Sequence, residues 1–273
     1  MADSMNIFDR RLVRKRRERA AAGFAEHDFL VREAADRLAD RLDDVTHRFP
    51  LALDLGCHTG ELAAAVKGRG GIETLVQCDL SPAMAGRAAA NGNPTLAADE
   101  EWLPFAAASF DLVLSCLSLH WVNDLPGTLA QIRRILKPDG LFLAVMLGGE
   151  TLTELRRALA AAEIAVEGGL SPRVSPFADV KDLGRLLQRA GFHQPIADSD
   201  SIAVSYGDPF RLLADLRGMG ETNAVAEQRK GLTRRATMMA ALDNYRRDFA
   251  DADGRLPATF HLLGMTGWVP AEK

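Results

Sequence analysis

Five short apolar runs punctuate the first 150 residues, and each is bounded by residues typical of turns or helix starts. These runs, which predict buried strands, lie at 51–56, 73–80, 94–99, 110–119 and 141–147. The segments between them carry helical signals at 60–68 and 124–136, and Ser81 followed by Pro82 is a typical helix start. Strands and helices that alternate in this way indicate a parallel sheet with helices on both faces. Right-handed crossovers make such a sheet doubly wound.

Helical sequence flanks this region on both sides. Residues 8–45 predict two helices that separate near Gly23. Beyond residue 150 the pattern predicts helices at 151–165, 179–190 and over most of 208–250, a proline-rich loop at 171–177, and strands at 200–206 and 258–269. We expect the last of these strands to return antiparallel at the edge of the sheet.

Together these elements predict a single α/β domain over 1–273. Its fold class is a doubly wound, Rossmann-like sheet of seven strands, mostly parallel with an antiparallel last strand. Within this domain we expect an N-terminal helical cap at 1–47, a ligand-binding core at 50–147 and a helical lid insertion at 207–255.

Composition narrows the class of protein. The chain has 273 residues, of which 47% are hydrophobic and 26% charged, the balance of an ordinary globular protein. Its longest apolar stretch, 141–147, is too short to cross a bilayer, so no transmembrane segment is predicted. Three well-separated cysteines without a CxxC pair indicate neither a disulfide framework nor a zinc site. These features, with no secretory or transit signal at the N-terminus, predict a reducing, cytoplasmic location.

Charge is distributed unevenly along the chain. The net charge is −4, but residues 10–19 hold seven basic residues and one acid. The remainder therefore carries about −10. We interpret the basic run as a solvated helix face rather than as an arm for nucleic acid, and no nucleic-acid partner is expected.

The turn after the first strand has the features of a ligand-binding loop. Residues 54–60, Asp-Leu-Gly-Cys-His-Thr-Gly, lead from a strand into a helix. Glycines let the backbone approach a ligand closely, and the N–H groups of the helix start face it. Asp79 ends the second strand, where doubly wound folds place an acid on ribose hydroxyls. Asp99 ends the third strand, which suits an acceptor for the exocyclic amine of an adenine, with Leu103 and Phe105 flanking the ring.

These motifs, with SFDLV at 109–113 and KPDG at 137–140, resemble the class I S-adenosylmethionine-dependent methyltransferases. The resemblance implies S-adenosyl-L-methionine as the cofactor, with Asp79 on its ribose and Asp99 with Glu100 on its adenine. The residues implied to bind the cofactor are Asp54, Leu55, Gly56, Cys57, Gly60, Asp79, Leu80, Asp99, Glu100 and Ser115.

One position of the turn departs from the family pattern. His58 stands where these methyltransferases usually have a glycine. A side chain is disfavoured in a left-handed backbone conformation, so the turn is expected either to differ slightly or to tolerate the histidine.

A narrower resemblance covers nearly the whole chain. Segments outside the cofactor motifs, among them 7–21, 117–126, 216–224 and 257–268, are similar to the family of methyltransferase-like assembly factors of mitochondrial respiratory complex I. That family implies a protein substrate, a complex I subunit, in which an arginine is hydroxylated. The malonyl carrier-protein methyltransferases of biotin synthesis are more distantly similar.

Few residues suit the reaction itself. His120, which follows the fourth strand, is the best candidate for a catalytic base, and Trp121 is expected to wall the pocket. A guanidinium substrate needs carboxylates, for which Glu150, Glu154 and Glu221 are the candidates, and the glycine-flanked Glu150 and Glu221 are the best of them. A malonyl or other acidic substrate needs arginines instead, and the candidates are Arg10, Arg16, Arg211 and Arg217. No metal site is expected, since no histidine lies in an H-x-D/E pair.

Three functions stay open at this point. The first is a S-adenosylmethionine-binding enzyme that modifies a protein arginine in complex I assembly. The second is a conventional methyltransferase for a small molecule or a carrier-protein-bound carboxylate. The third is a non-catalytic assembly chaperone that binds the cofactor for stability. A DPPY- or NPPY-type motif does not follow the fourth strand, which disfavours amino-methylation of nucleic acids.

Overall fold

The computed structural model describes residues 6–229, 231 and 233–271. The first five residues of the predicted cap, residues 230 and 232 of the predicted insertion, and 272–273 lie outside the described residues. In the described ranges, no helix combines the length and the apolar character that crossing a bilayer requires.

Within these ranges seven strands form one sheet in the order β3-β2-β1-β4-β5-β7-β6. The strands are β1 (Leu51–Leu55), β2 (Thr74–Asp79), β3 (Thr95–Ala97), β4 (Phe110–Cys116), β5 (Leu136–Leu147), β6 (His193–Tyr206) and β7 (Leu256–Trp268). Strands β1 to β5 pair in parallel, whereas β7 runs antiparallel to both of its neighbours. The predicted fold class is therefore confirmed.

The position of β7 differs from the prediction. It is inserted between β5 and β6, so that Met265 lies opposite Ala144 on one side and Ala197 on the other. The expected edge position of 258–269 is wrong, because β6 begins at His193 rather than at residue 200 and is long enough to pair along the whole of β7. β6 is the edge strand instead.

Helices cover both faces of the sheet. They are α1 (Arg10–Ala20), α2 (Phe29–Asp43), α3 (Glu61–Ala65), α4 (Pro82–Ala88), α5 (Leu125–Ile135), α6 (Thr153–Glu167), α7 (Val180–Ala190), α8 (Pro209–Gly218) and α9 (Arg235–Phe249). A 3₁₀ segment around Gly23 separates α1 from α2, where the sequence predicts a break. α3 is shorter than predicted, because Gly68 follows it in a left-handed conformation that ends the helix.

Two apolar layers hold the helices to the sheet. Leu112 and Val113 are neighbours in β4 and point to opposite faces, as the strand period of two requires. On the Leu112 side the layer contains residues of α2, α6 and α9, and on the Val113 side it contains residues of α5 and α7. A smaller cluster joins Phe8 and Trp121, with ring centroids 5.3 Å apart. This cluster fixes the N-terminal segment at the carboxyl ends of the parallel strands.

Candidate functional site

The loop after β1 brings the backbone close to the ends of β2 and β4. The N–H groups of Gly56 and Cys57 donate to the Cys78 carbonyl at 2.8 and 2.9 Å. Gly56 has a φ of +79°, and a Cβ atom there would lie 2.2 Å from the Ser118 side chain. Only glycine fits at this position. These two N–H groups are used inside the protein, which differs from the expectation that the loop offers them freely to a ligand.

His58 adopts a left-handed backbone conformation, which favours glycine. Its φ is +48°, in the left-handed region. The ring is buried, stacks on Phe24 with centroids 5.6 Å apart, and places Nε2 3.1 Å from the carbonyl oxygen of Cys116. These contacts offset the strain of a side chain in this turn.

The predicted acids gather at the carboxyl ends of the strands. Asp79 accepts from the Ser81 N–H at 2.7 Å and from the His58 N–H at 3.2 Å. Asp54 accepts from the side-chain amide of Gln77 at 3.2 Å, and within the described ranges its Oδ1 has no hydrogen-bond partner. We call this group of four acids, Asp54, Asp79, Asp99 and Glu100, the acidic crevice; the first, second and fourth are fully buried.

Two of these carboxyl groups are perturbed in opposite directions. Burial raises the pKa of Asp54 to about 7, because the hydrogen bond from Gln77 compensates too little. Burial also acts against ionisation of Glu100, but the charges of Arg10 and Arg17 outweigh it and lower the pKa of Glu100 to about 2. At neutral pH Glu100 is therefore an anion, whereas Asp54 keeps its proton to a higher pH than an exposed carboxyl group does.

Arg17 of α1 inserts into the acidic crevice. Its side chain is 1% exposed. Nη1 lies 3.2 Å from Oδ2 of Asp79 and 3.1 Å from Oε1 of Glu100, and Nη2 donates to the Ser118 hydroxyl at 2.9 Å. Charge pairing and hydrogen bonds make burial of these ions tolerable.

Arg10 enters the same region from one side. It contacts Asp99 at 2.5 Å and also pairs with Glu100. The interpretation of residues 10–19 as a solvated helix face is therefore wrong for Arg10 and Arg17, although the face with Arg14 is exposed. Arg10, predicted as a substrate residue, lies on the acids expected to hold adenine.

A second group of predicted residues meets beside the crevice. Nε2 of His120 lies 2.9 Å from Oε2 of Glu221, and Nε1 of Trp121 donates to the same oxygen at 3.0 Å. Burial acts to raise the pKa of Glu221, but His120 and Arg17 reverse the effect and lower it. Nδ1 of His120 is buried without a partner in the part of the chain that the structure describes.

A cavity of about 500 Å³ adjoins Glu221. Leucines of α6 and α8 form much of its wall, and Arg16, Arg217 and Asn223 add polar groups. Phe177 also lines the cavity and packs on His120, with ring centroids 5.8 Å apart. A volume of this size is typical of sites for small ligands.

The loop at 171–177 closes one side of the cavity, a role that sequence reasoning missed. Arg173 pairs with Glu163 of α6 at 2.7 Å and donates to the Thr233 hydroxyl at 2.7 Å. Ser171 donates to Glu163 through both its N–H and its hydroxyl. The arginine within the proline-rich stretch is the signal from which an anchored loop could have been predicted.

The remaining predicted residues lie apart from the two groups. Ser115 donates to the Leu55 carbonyl at 2.7 Å, and Gly60 has a φ of +104° before α3. Leu80 packs against the cluster of Phe8 and Trp121. Glu150 is exposed in the turn after β5 and does not join Glu221. In the described ranges, no three side chains of His, Cys, Asp or Glu form a set that could hold a metal ion.

Comparison with known proteins places this geometry in a family. Residues 53–144 match the model of a methyltransferase domain. A Haloferax volcanii methyltransferase solved with its Trm112 activator has a TM-score of 0.58 at 23% identity, covering 96% of this chain and 99% of that chain. The phosphoethanolamine N-methyltransferase 2 of Haemonchus contortus, bound to S-adenosylhomocysteine, has a TM-score of 0.57 at 16% identity, covering 95% of this chain and 60% of that one. These structures share the fold.

Curated relatives are more similar in sequence. The human mitochondrial arginine-hydroxylase NDUFAF5 is 48% identical over 97% of this chain and 77% of that protein. The zebrafish protein Danio rerio NDUFAF5 is 44% identical, over 98% of this chain and 84% of that protein. The malonyl-[acyl-carrier protein] O-methyltransferase of Laribacter hongkongensis is 35% identical over 97% of this chain and 91% of that enzyme. The predicted cytoplasmic location is contradicted, because the most similar of these relatives are mitochondrial proteins.

Proposed function

Because the chain belongs to the family of the arginine-hydroxylase NDUFAF5, we propose that it binds S-adenosyl-L-methionine and modifies an arginine side chain of a protein substrate. It is an enzyme of the S-adenosylmethionine-dependent methyltransferase family. The observation that carries the proposal is the anionic, largely buried carboxylate of Glu221 on the wall of the cavity. A guanidinium that leaves water needs such a partner.

The acidic crevice suits the chemistry of the cofactor. S-adenosyl-L-methionine is a cation that also brings ribose hydroxyls and amine groups, all of which are donors. The crevice offers acceptors to match: Asp79 and Glu100 already hold a guanidinium, and Asp54 has an unpartnered oxygen. We assign Asp79 to the ribose and Asp99 with Glu100 to the adenine. When bound, the cofactor supplies a methyl group on a sulfonium centre.

His120 is proposed to accept a proton from the substrate. Glu221 is ionised and faces Nε2, so the neutral imidazole carries its hydrogen on Nε2 and its lone pair on Nδ1. Nδ1 is buried without a partner within the described ranges, so it is the ring nitrogen that would take the proton once a substrate group reaches it. Trp121 fixes the carboxylate from a second direction. In the pair of His120 and Glu221, the imidazole is the base and the carboxylate orients it.

The cavity wall also suits the stem of an arginine. Apolar side chains such as Leu155 and Leu216 lie opposite the polar rim that contains Glu221. The methylene groups of an arginine pack on apolar walls while its guanidinium meets the carboxylate. By its resemblance to the assembly-factor family, we propose that the substrate is a subunit of respiratory complex I.

A second function is favoured by a different observation. Arg16 and Arg217 line the same cavity, and Arg217 forms no ion pair in the described part of the chain. Arg16 donates to the carbonyl oxygens of Thr222 and Asn223. Guanidinium groups whose charge is not paired attract a carboxylate, as in a carrier-protein-bound malonyl group. This candidate is methyl transfer to an acid, the reaction named for the Laribacter hongkongensis relative.

Mass spectrometry separates these functions. The full chain is incubated with methyl-labelled S-adenosyl-L-methionine, dioxygen and a two-electron reductant, together with either an arginine-containing complex I subunit or a malonyl-loaded carrier protein. Hydroxylation adds the mass of one oxygen atom and no label to the substrate. Methyl transfer adds the mass of the labelled methyl group. We expect modification of arginine, lost in Glu221→Gln and kept in Glu227→Gln, an exposed acid of the same segment. Label on the malonyl group alone contradicts the first function, and a stable complex without modification supports a chaperone.

A further inference from the structure

We infer that α1 is a displaceable plug of the acidic crevice, and that cofactor binding withdraws Arg17 from it. The inference rests on the proposed function, because it takes the crevice as the cofactor site. It adds a second state of the protein, in which the N-terminal helix has left the acids.

The plug and the cofactor need the same acceptors. A carboxylate has about four acceptor positions. Three N–H groups, from Ser81, His58 and Arg17, already bind Asp79. Ribose presents two hydroxyl donors, so Asp79 has room for both only after Arg17 leaves. The same holds for Glu100, whose Oε1 receives both Arg17 and the Ser118 hydroxyl.

Arg17 is held firmly, yet its bonding is incomplete. Withdrawal of Arg17 into water without replacement would leave Asp79 buried without a cation and Glu100 with Arg10 alone, which is strongly unfavourable. A nucleoside ligand lowers that obstacle because its ribose hydroxyls and adenine amine bring new donors to Asp79 and Glu100. In the described ranges, Nε of Arg17 and Nε of Arg10 are buried without an acceptor. The plugged state therefore leaves polar groups unsatisfied that become solvated when α1 moves out.

α1 also touches the segment that carries Glu221. Arg16, the neighbour of Arg17, donates to the Thr222 carbonyl at 2.5 Å. The Asp9 N–H donates to the Ala224 carbonyl at 2.9 Å. The same helix thus contacts the crevice through one residue and the cavity rim through the next. When Arg17 withdraws, the contacts of α1 with residues 222–224 change as well. Cofactor binding therefore opens or reshapes the cavity before the substrate enters.

The test uses the full chain with S-adenosylhomocysteine, which has no methyl group to transfer. Amide hydrogen exchange is measured by mass spectrometry over 10–20 and 221–226, with α7 as the reference because it packs against α5. Calorimetry gives the Kd of the wild type, Arg17→Ala and the control Arg14→Ala. Arg14 is an exposed residue of the same helix that pairs with Glu18.

We expect the ligand to speed exchange in α1 and in 221–226 but not in α7. Arg17→Ala should bind S-adenosylhomocysteine about tenfold more tightly than the wild type, because the ligand no longer has to displace the arginine side chain. The Kd of Arg14→Ala should match that of the wild type. Binding with unchanged or slower exchange in α1, or weaker binding by folded Arg17→Ala, overturns the plug and leaves the cofactor site standing. If neither protein binds, the proposed function falls, and the plug falls with it. If Arg17→Ala does not fold, the exchange of wild-type α1 decides alone.

Discussion

Nε2 of His120 and Oε2 of Glu221 lie 2.9 Å apart, although 101 positions separate the two residues along the chain. His120 follows β4 and Glu221 follows α8, so folding alone brings them together. The sequence suggested a base and a substrate carboxylate as independent roles. Their contact instead makes one unit, in which the carboxylate sets the proton position on the imidazole.

Replacing the imidazole tests this unit. His120→Gln should lower the rate of substrate modification by about two orders of magnitude, because a positioned base contributes on that scale. The Kd for S-adenosylhomocysteine should stay within error, since His120 lies outside the acidic crevice. Single-turnover kinetics and calorimetry measure the two quantities. The control is His193→Gln, an exposed histidine at the start of β6; equal losses of rate and cofactor affinity would point to a structural role for His120.

Removing the predicted ribose acid tests the crevice. Asp79→Ala should weaken cofactor binding by about 1–3 kcal/mol, the range for charge-assisted hydrogen bonds. Asp79 also pairs with Arg17, so the variant weakens the hold on the plug, which favours cofactor binding. We expect the loss of the ribose acceptor to have the larger effect on affinity. Calorimetry with S-adenosylhomocysteine checks the affinity, and Asp253→Ala in an exposed turn is the control. Unchanged affinity in a folded Asp79→Ala would refute the ribose assignment.

Asp54 predicts a pH dependence of stability. Its carboxyl has a pKa of about 7 in the folded protein and an ordinary value of 3.8. Between these values the folded protein holds a proton that the unfolded chain has released, so stability falls as pH rises. Asp54→Asn should remove this slope and add about 2–4 kcal/mol at neutral pH. Urea unfolding at a series of pH values measures it, and an identical slope in the variant would contradict the assignment.

Glu100 predicts the opposite slope at lower pH. Its pKa falls from 4.5 to about 2, so its ion pairs stabilise the folded protein above the higher value. That stability is lost as pH falls from 4.5 towards 2, because the unfolded chain binds the proton first. The same urea series should show a decline on the acid side, and Glu100→Gln should flatten it. If the stability of Glu100→Gln falls as steeply with decreasing pH as that of the wild type, other carboxylates cause the decline.

The loop over the cavity should depend on Arg173. Arg173→Ala leaves Glu163 without its 2.7 Å partner and frees the Thr233 hydroxyl. We expect the local stability of 168–179 to fall by about 1–3 kcal/mol, measured by hydrogen exchange. Arg247→Ala, which removes an exposed pair with Asp248, should change exchange in this loop little. Equal protection in both variants would show that the leucine wall alone holds the loop.

The sequence predicts much of the sheet and crevice because those features are local. Asp79 and Asp99 follow short apolar runs, and parallel pairing carries such positions to one edge. The insertion of β7 was not predictable in this way, since it depends on β6 pairing along its full length.

The burial of Arg17 was missed for a different reason. A run of basic residues is usually solvated, and composition gave no sign of distant acids. The helical period did contain the signal: Arg10, Val13, Arg17 and Ala20 fall on one stripe of α1, and the two apolar members are buried. An arginine between buried apolar positions of a helix is best read as facing the protein.

Because β7 runs antiparallel to β5, the position of its end determines where a reporter group can be attached without blocking the site. Trp268 lies opposite Leu141, at the amino ends of the parallel strands, so residues 269–271 leave the sheet on the side away from the crevice. Phe8, in contrast, bridges to Val225 next to the cavity rim. A fluorophore or affinity handle attached beyond residue 271 therefore leaves cofactor and substrate access intact, whereas the same group placed ahead of Phe8 crowds both.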